Sequence, residues 1–566
     1  MNKTIYNISQ FFVQKGIKRI VMSPGSRNAP LSISFSRNPQ VETFNVVDER
    51  SAGFIALGMA IKSKKPVALS CTSGSALLNY SPAVSEAYYQ QIPLIIISAD
   101  RPQEWLNQRD GQTINQNGAL SNFVKSTFTL PSDLSHEDAI WEFERKINEA
   151  INLSVSAPAG PVHINVPFRE PFYPSKNEAF SFEKVRLIEQ PALSHDIDLS
   201  SLAPRWAGFK KRLIVVGQEP ENKALNEFIE RLANIPVVAD VISNIQSGSA
   251  IRTHDLFLAN LNEDQSESLR PELLITTGKS VISKNLKIFL RKYTPLEHWH
   301  FEDTDQVADT FKSLTHHFRA PLEQLLNDIV RNPSQDDFSE QVERNYNQNW
   351  NILESKTRAS ISSEIPKQAF SEVSSFHTTI GSLPSGIDLH LANSMAVRYV
   401  NFFQQELKDA EVFANRGTSG IDGSNGAAVG NAIIGEKPVV LLTGDLSFFY
   451  DRNAFFHNHK YNNLKIIVFN NQGGGIFRLI KGPSDLPELE QHFETRHNHS
   501  ASFTAAEYGF DYYKSTDKAS LTDALNKIFT DDKTPKLLEV FTEPETNSEC
   551  FKSMKQTIFE AINNIQ

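Results

Sequence analysis

At 566 residues the chain is too long for one hydrophobic core, and three or four domains are expected. Its 40% hydrophobic and 22% charged residues are ordinary for a globular protein. A net charge of −10 excludes a general nucleic-acid or membrane-surface binder, so any anion site must come from local clusters of Arg and Lys. The only cysteines, Cys71 and Cys550, suggest neither a disulfide framework nor a Cys-rich zinc site. The N-terminus lacks a signal-peptide core, and no apolar run reaches the ~18 residues that cross a bilayer. The chain reads as soluble and cytoplasmic, with no membrane span.

In chain order, MNKTIYNISQFFVQKGIKRI predicts an amphipathic helix running into a strand. KRIVMSPGSRNAPLSISF continues through a Pro-Gly turn to a helix beginning near Asn28-Ala29-Pro30, where proline suits the first turn. VETFNVVDERSAGFIALGMAIK, PVALSCTSGSALLNYSPAVSEAYYQ and IPLIIISADRP then alternate short apolar strands with polar or Gly turns and small-residue helices. GPVHINVPF, around 160–168, reads as the last strand of a domain covering 1–180. This is the pattern of a doubly wound parallel sheet with its loops at one edge, an α/β class. REPFYPSKNEAFSFEKVRLIEQPALSHD has the composition of an interdomain linker. Residues 195–335 repeat an α/β alternation, with a helix expected from about Glu221 to Ala233. Gly217 is present without GxGxxG, so a dinucleotide site is not expected, and this middle domain reads as mainly structural, Lys284 being the exception. A polar, charged helix over 336–365 suits a connector to a third α/β domain, 366–566.

Within the third domain, residues 438–477, PVVLLTGDLSFFYDRNAFFHNHKYNNLKIIVFNNQGGGIF, read as strand, helix, strand: a βαβ unit with parallel strands. Both strands then end at one carboxyl edge, where ligands bind, so Asp445 and Asn471 are expected in one crevice. A carboxylate, an amide oxygen and a carbonyl from the glycine turn suit a hard cation such as Mg²⁺. The glycines let backbone N–H groups approach a diphosphate. For Gly444-Asp445 alone, the plain alternative is a buried strand whose Asp caps the next helix. In the first domain, Glu49 ends the strand FNVV and begins a helix. Asp48 and Glu49 read either as favourable charges at a helix N-terminus or as a carboxyl with a chemical task.

With Gly-Asp, this spacer and Asn-Asn, the chain resembles the thiamine diphosphate enzymes, and both outer domains repeat one layout as in that family. The resemblance implies a pyrimidine-binding domain, a middle domain and a diphosphate-binding domain. It implies that Asp445, Asn471 and the carbonyl of Gly473 hold the metal, Mg²⁺ or Mn²⁺. Gly444, Leu446, Gly474, Ser394, Ile421, Ile476 and Phe477 would line the cofactor, thiamine diphosphate, with Ile480 beside them. Ile421 matches the bulky residue that bends the cofactor, for which plain core packing is the alternative. Leu446 departs from the second Gly of many members. Glu49 matches the glutamate that exchanges a proton with the cofactor's aminopyrimidine. In the family the two cofactor domains come from different subunits, which implies a homodimer or dimer of dimers.

SPGSRNAPL (23–31), DERSAGFIALG (48–58), CTSGSALLNYSPAVSEA (71–87), ADRPQE (99–104), ANSMAVR (392–398), ANRGTSGIDG (414–423) and GDLSFFYD (444–451) narrow the resemblance. They match a menaquinone-biosynthetic branch that decarboxylates 2-oxoglutarate and adds the succinyl carbanion equivalent to isochorismate. Matching its motifs implies that Ser26, Arg27, Arg101, Gln112, Lys284, Ser394, Arg398 and Arg416 line the site, with Gln112 beside Glu49 as a catalytic candidate. Guanidinium groups suit two dicarboxylate substrates because each can bind a carboxylate through two parallel hydrogen bonds. Asn285 stands where the branch has Arg and offers no positive charge. His457, His459, His492, His497 and His499 lack Cys partners or HExxH spacing, so zinc is not expected. Gly-Thr-Ser-Gly at 417–420 is not a nucleophile elbow, because Ile421 stands where Gly is required. The competing readings are a carboligase of the acetolactate type acting on pyruvate, and a catalytically silent thiamine-fold binding protein.

Overall fold

The computed structural model describes residues 3–170, 172–174, 182–190, 202–232, 234–329, 337–530 and 533–564. The first sheet contains β1 (Arg19–Met22), β2 (Glu42–Asn45), β3 (Val67–Cys71), β4 (Leu94–Asp100), β5 (Thr127–Thr129) and β6 (Val162–Pro167), in the order β2-β1-β3-β4-β6-β5. The second contains β7 (Arg212–Val216), β8 (Val237–Ala239), β9 (Leu273–Thr277), β10 (Glu297–Phe301) and β11 (His316–Phe318), in the order β11-β10-β9-β7-β8. The third contains β12 (Ile387–Leu391), β13 (Ala410–Ala414), β14 (Val439–Gly444), β15 (Leu464–Asn470), β16 (Asp511–Ser515) and β17 (Lys536–Phe541), in the order β13-β12-β14-β15-β17-β16. All pairings in the three sheets are parallel.

The third sheet repeats the first strand for strand. β3 and β4 are buried throughout. Helices cover both faces of such a sheet, which is why these strands read as continuous apolar runs. In each outer sheet the winding reverses at one point, between β1 and β3 and between β12 and β14, which opens a crevice at the carboxyl ends.

The outer units pack on each other through the helices Glu49–Ser63 and Ser424–Ile434. A Cβ on Gly58 would lie 2.1 Å from the Ala427 carbonyl oxygen, and one on Gly430 would lie 2.0 Å from that of Ile55. The sequence GAAVG thus buys backbone-to-backbone contact that a larger residue would prevent. One apolar core runs through the contact, taking in Phe54, Ile55 and Leu57 from one side and Ala428, Val429 and Val468 from the other.

Several elements differ from expectation. The 71–87 stretch forms two helices, Ser75–Asn79 and Ser81–Gln90, with Pro82 in the first turn of the second. The middle-domain helix is shorter than 221–233: it runs Lys223–Glu230, because the Asn222 side chain caps it by accepting from Leu225 N. The strand at 160–168 is the last of its unit in chain order, as expected, but it lies inside the sheet. The edge is β5, whose three residues are too few to show a period. The 336–365 connector is a packed helix, Asp337–Glu364, with Tyr346, Trp350, Leu353 and Ile361 buried at helical spacing. The expected linker at 169–196 falls partly outside the described residues. Its described part lies along the first unit, where the Asn148 side chain bonds the Arg186 carbonyl and the Ile188 N–H.

Candidate active site

β14 and β15 pair in register up to Gly444 opposite Phe469, so Asp445 and Asn471 leave the sheet at the same edge. Asp445 begins the helix Asp445–Tyr450, and its Oδ1 accepts from Leu446 N at 2.6 Å. Its Oδ2 and the Asn471 Oδ1 both accept from Gly473 N, each at 3.0 Å. Two side-chain oxygens thus meet over a glycine turn. This is an oxygen donor set of the kind a hard divalent cation takes. The turn cannot carry side chains: a Cβ on Gly473 would lie 2.7 Å from the Glu494 carbonyl oxygen, and one on Gly475 would lie 2.5 Å from Asn471 Nδ2. Gly474 N bonds the same Glu494 carbonyl at 2.7 Å, and Arg478 and Arg496 hold the Glu494 carboxylate.

Of two further groups around this turn, Glu372 escaped the sequence reading, and His497 entered it only among the histidines without zinc spacing. Glu372, buried at the start of the helix Glu372–Ser382, accepts from Asn471 Nδ2 at 2.7 Å and so turns the amide oxygen toward Asp445. Burial, with the neighbouring Asp445 carboxylate, pushes Glu372 up to about 7. Its sequence context, Ser371 with Ser374 as a capping box, explains the helix start and gives no hint of a partner at 471. His497 lies 3.5 Å from Asp445 Oδ2. Its ring stacks on His499, and both rings meet Phe449 edge-on. His497 belongs to the carboxylate's surroundings, and no cluster of three metal-ligating side chains occurs among the described residues.

Ile421 is 40% exposed, and its carbonyl accepts from Ser447 Oγ at 2.6 Å, which ties its loop to the Asp445 helix. Ile476 and Phe477 open the short helix Ile476–Leu479 directly after the glycines, and Ile480 is exposed behind them.

β12 ends on the other side of the reversal point. Ser394 sits there at φ 68°, ahead of the helix Met395–Phe402 rather than inside it. Arg398 reaches back to donate to the Ser394 carbonyl. Arg416, after β13, donates through Nη1 to Asn393 Oδ1 at 2.7 Å, while its buried Nε has no hydrogen-bond partner among the described residues. Burial lowers the pKa of Arg416, and the neighbouring Arg398 guanidinium lowers it further. Two desolvated guanidinium groups side by side call for an anion. Lys284 is exposed at the first turn of the helix Lys284–Lys292. Asn285 is committed elsewhere: its Nδ2 and N–H bond the carbonyl and carboxylate of Asp255 at 2.9 and 3.1 Å.

A second cluster lies at the carboxyl edge of the first sheet. Arg101, directly after β4, donates to Ser73 Oγ and the Gln112 carbonyl, both at 2.8 Å, and pairs with Asp110. Arg27, after β1, donates to the Phe168 carbonyl at 3.0 Å and lies over the Phe172 ring. Burial lowers its pKa and Arg101 adds to the effect. Ser26 is exposed beside it, and Gln112 holds φ 53° against Gly74.

Glu49 is the first residue of its helix, but Asp48 does the capping, accepting from Arg50 N and Ser51 N. Burial raises the Glu49 pKa, and its surroundings are Asp48, Asn79, Cys71 and Tyr80, all in the first unit. Next to it, Arg50 donates to the Tyr450 carbonyl at 2.7 Å, and Asn453 donates to Asp48 Oδ2 at 2.9 Å. One chain therefore meets the start of the Glu49 helix with the far end of the Asp445 helix. None of the partners of Asp445, Asn471 or Gly473 among the described residues is Glu49.

The chain matches three family models. They are the thiamine pyrophosphate enzyme N-terminal TPP binding domain over residues 6–119, the middle domain over 186–390, and the C-terminal TPP binding domain over 395–540. It is 41% identical to a 2-succinyl-5-enolpyruvyl-6-hydroxy-3-cyclohexene-1-carboxylate synthase of Cytophaga hutchinsonii, over 98% of this chain and 99% of that one. Proteins of the same name from Flavobacterium johnsoniae and Porphyromonas gingivalis are 39% and 38% identical, over 95% and 97% of this chain and 96% of each relative.

Proposed function

The chain belongs to the thiamine pyrophosphate enzymes, in their branch of 2-succinyl-5-enolpyruvyl-6-hydroxy-3-cyclohexene-1-carboxylate synthases, and we propose how its residues perform that branch's reaction in menaquinone biosynthesis. The enzyme decarboxylates 2-oxoglutarate and adds the remaining succinyl unit to isochorismate. The observation that carries this reading is the meeting of Asp445, Asn471 and Gly473 at two paired strand ends, in the sheet whose neighbouring strands β12 and β13 lead into the desolvated guanidinium groups of Arg398 and Arg416.

Bound thiamine diphosphate supplies a carbon nucleophile and an electron sink for the charge left by loss of CO₂. Asp445, Asn471 and the Gly473 carbonyl would hold Mg²⁺ or Mn²⁺, and Gly444, Leu446 and Gly474 would line the diphosphate. Ile421 would pack against the cofactor. Ile476 and Phe477 keep water from the reacting end, which strengthens the electrostatic contacts there. Glu49 holds a proton for the aminopyrimidine ring nitrogen. Its raised pKa keeps the protonated form accessible closer to neutral pH than an ordinary carboxyl's.

Ser394, Arg398 and Arg416 take the distal carboxylate of the 2-oxo acid, on the unit that holds the diphosphate. Ser26, Arg27, Arg101 and Lys284 take the carboxylates of the second substrate, with Gln112 at its reacting end. Asn285 is occupied with Asp255, so Lys284 is the cation this loop offers. Domain roles follow: pyrimidine-binding for 1–180, middle for 195–335, diphosphate-binding for 366–566. Because the partners of Glu49 lie apart from those of Asp445 in one chain, the active unit is a homodimer, or a dimer of dimers, with each site shared between subunits. Among the described residues no helix is long and apolar enough to cross a membrane, and we assign the enzyme to the cytoplasm.

The test is incubation of the purified protein with thiamine diphosphate, Mg²⁺, 2-oxoglutarate and isochorismate, followed by mass identification of the adduct. Preference for pyruvate would move the chain to the acetolactate type. Release of no CO₂ from any 2-oxo acid would leave a silent binding protein.

A further inference from the structure

We propose that Glu86, in the first unit, is a positioning residue for Arg416, fixing across the domain boundary the loop that presents this guanidinium to substrate. The inference rests on the reading of Arg416 given above.

Glu86 lies on the helix Ser81–Gln90 and is fully buried. Its Oε1 accepts from Gly417 N at 2.7 Å and from Gln90 Nε2 at 2.5 Å. Its Oε2 accepts from Thr418 N at 2.7 Å and from Thr418 Oγ1 at 2.6 Å. No cation lies within ion-pair distance of it among the described residues, and its charge reaches Arg416 only from farther off, raising that guanidinium's pKa against the larger effect of burial. Burying a carboxylate in this way is costly for stability, and an apolar side chain of similar volume would serve packing as well. What only a carboxylate provides is two oxygens that accept consecutive backbone N–H groups, which sets both peptide planes flanking Gly417.

The loop needs such a clamp. It contains Gly417 and Gly420, whose backbones are intrinsically loose. It lies so close to the helix that a Cβ on Gly417 would be 2.6 Å from the Glu86 carbonyl oxygen. The other end of the loop is held by Asn393, whose Nδ2 donates to the Asn415 and Gly420 carbonyls at 2.8 and 2.6 Å. Asn393 Oδ1 also takes one Arg416 nitrogen, and the buried Nε has no hydrogen-bond partner among the described residues. Arg416 is thus aimed by two fixed points, one in its own unit and one in the first.

The experiment compares wild type, Glu86→Gln, Arg416→Ala and the double variant, each with thiamine diphosphate and Mg²⁺. KM and kcat are measured for 2-oxoglutarate and for isochorismate, beside the thermal midpoint and cofactor affinity. Gln keeps the shape but turns an N–H₂ group toward a loop donor. Glu86→Gln is expected to raise the KM of the dicarboxylate that Arg416 binds about tenfold, with kcat changing far less and cofactor affinity unchanged. In the Arg416→Ala background Glu86→Gln should add nothing further to KM.

A lowered thermal midpoint with wild-type KM values, or an additive loss in the double variant, would overturn the proposal. If Arg416→Ala leaves both KM values unchanged, it is the reading of Arg416 that fails. Should Glu86→Gln not fold, Thr418→Val removes one of the four bonds alone. It should raise the same KM by a smaller factor, and an unchanged KM there would also refute the clamp.

Discussion

Asp48 accepts the Arg50 and Ser51 N–H groups at the start of the helix Glu49–Ser63, so that helix end is satisfied without Glu49. The neighbouring carboxyl is left in a half-buried setting beside Cys71 and Tyr80, where burial raises its pKa. Glu49→Gln should lower turnover by at least about 10²-fold, because only the proton exchange is lost. Cofactor binding and thermal midpoint should stay near wild type, and normal turnover would remove Glu49 from the mechanism. At the glycine turn, Asp445→Ala deletes the carboxylate and should weaken Mg²⁺ retention directly. Glu372→Leu leaves all three oxygens but frees the Asn471 amide to rotate. Calorimetry in the presence of thiamine diphosphate should then read a Mg²⁺ affinity about tenfold weaker. Unchanged affinity in either variant would refute its part in the site.

Helix contacts carry their own predictions. In an ordinary helix, Gly→Ala stabilises by up to about 1 kcal/mol. At Gly430 the new methyl would lie 2.0 Å from the Ile55 carbonyl oxygen, so the two backbones must separate. Overpacking of this kind costs about 1–3 kcal/mol, and Gly430→Ala should lower the thermal midpoint. A raised midpoint would mean that the helices do not touch there.

Asp451, after the Asp445 helix, is fully buried: its Oδ2 accepts from Gly426 N at 2.9 Å, while its Oδ1 accepts no hydrogen bond among the described residues and lies 4.0 Å from Arg50 Nη2. Burial pushes it up to about 7. The folded state then holds a proton that the unfolded state releases near its ordinary value of about 3.9. Its contribution is therefore most favourable at low pH and is lost as pH rises from about 4 to about 7. Asp451→Asn should flatten that part of the profile and raise the thermal midpoint at pH 8 relative to pH 5. An unchanged difference between the two pH values would show that the group does not titrate there.

The two outer sheets share one strand order, and in one chain they meet back to back through the helices Glu49–Ser63 and Ser424–Ile434. That contact uses the far end of the Asp445 helix. If each site takes Glu49 from one subunit and Asp445 from the other, two dead variants should rescue each other. Mixing Glu49→Gln with Asp445→Ala, after dissociation and reassembly, creates one intact site in each mixed dimer. Random pairing predicts recovery of about a quarter of wild-type activity. No recovery, with mixed dimers demonstrated, would put the whole site within one chain.

The apolar runs of β3, β4, β14 and β15 were enough to identify parallel sheets covered on both faces, because strands buried on both sides have no polar alternation to hide. The meeting of Asp445 and Asn471 was also legible, since a βαβ unit brings both strand ends to one edge whatever surrounds it. The helix over 337–364 was legible as a helix but not as part of the core. Its buried Trp350 and Tyr346 are spaced correctly, yet a polar composition hides how few residues a packed stripe requires. Glu372 and Glu86 could not be found from the chain alone. Each acts on a residue about 100 or more positions away, and no local spacing records a hydrogen bond that exists only after separate sheets have packed. Local pattern determined the sheets and their edges, because periodicity is a property of neighbours in sequence. Which carboxylate is free, which is clamped and which amide is turned was decided by burial and by contacts between units, which only the folded chain possesses.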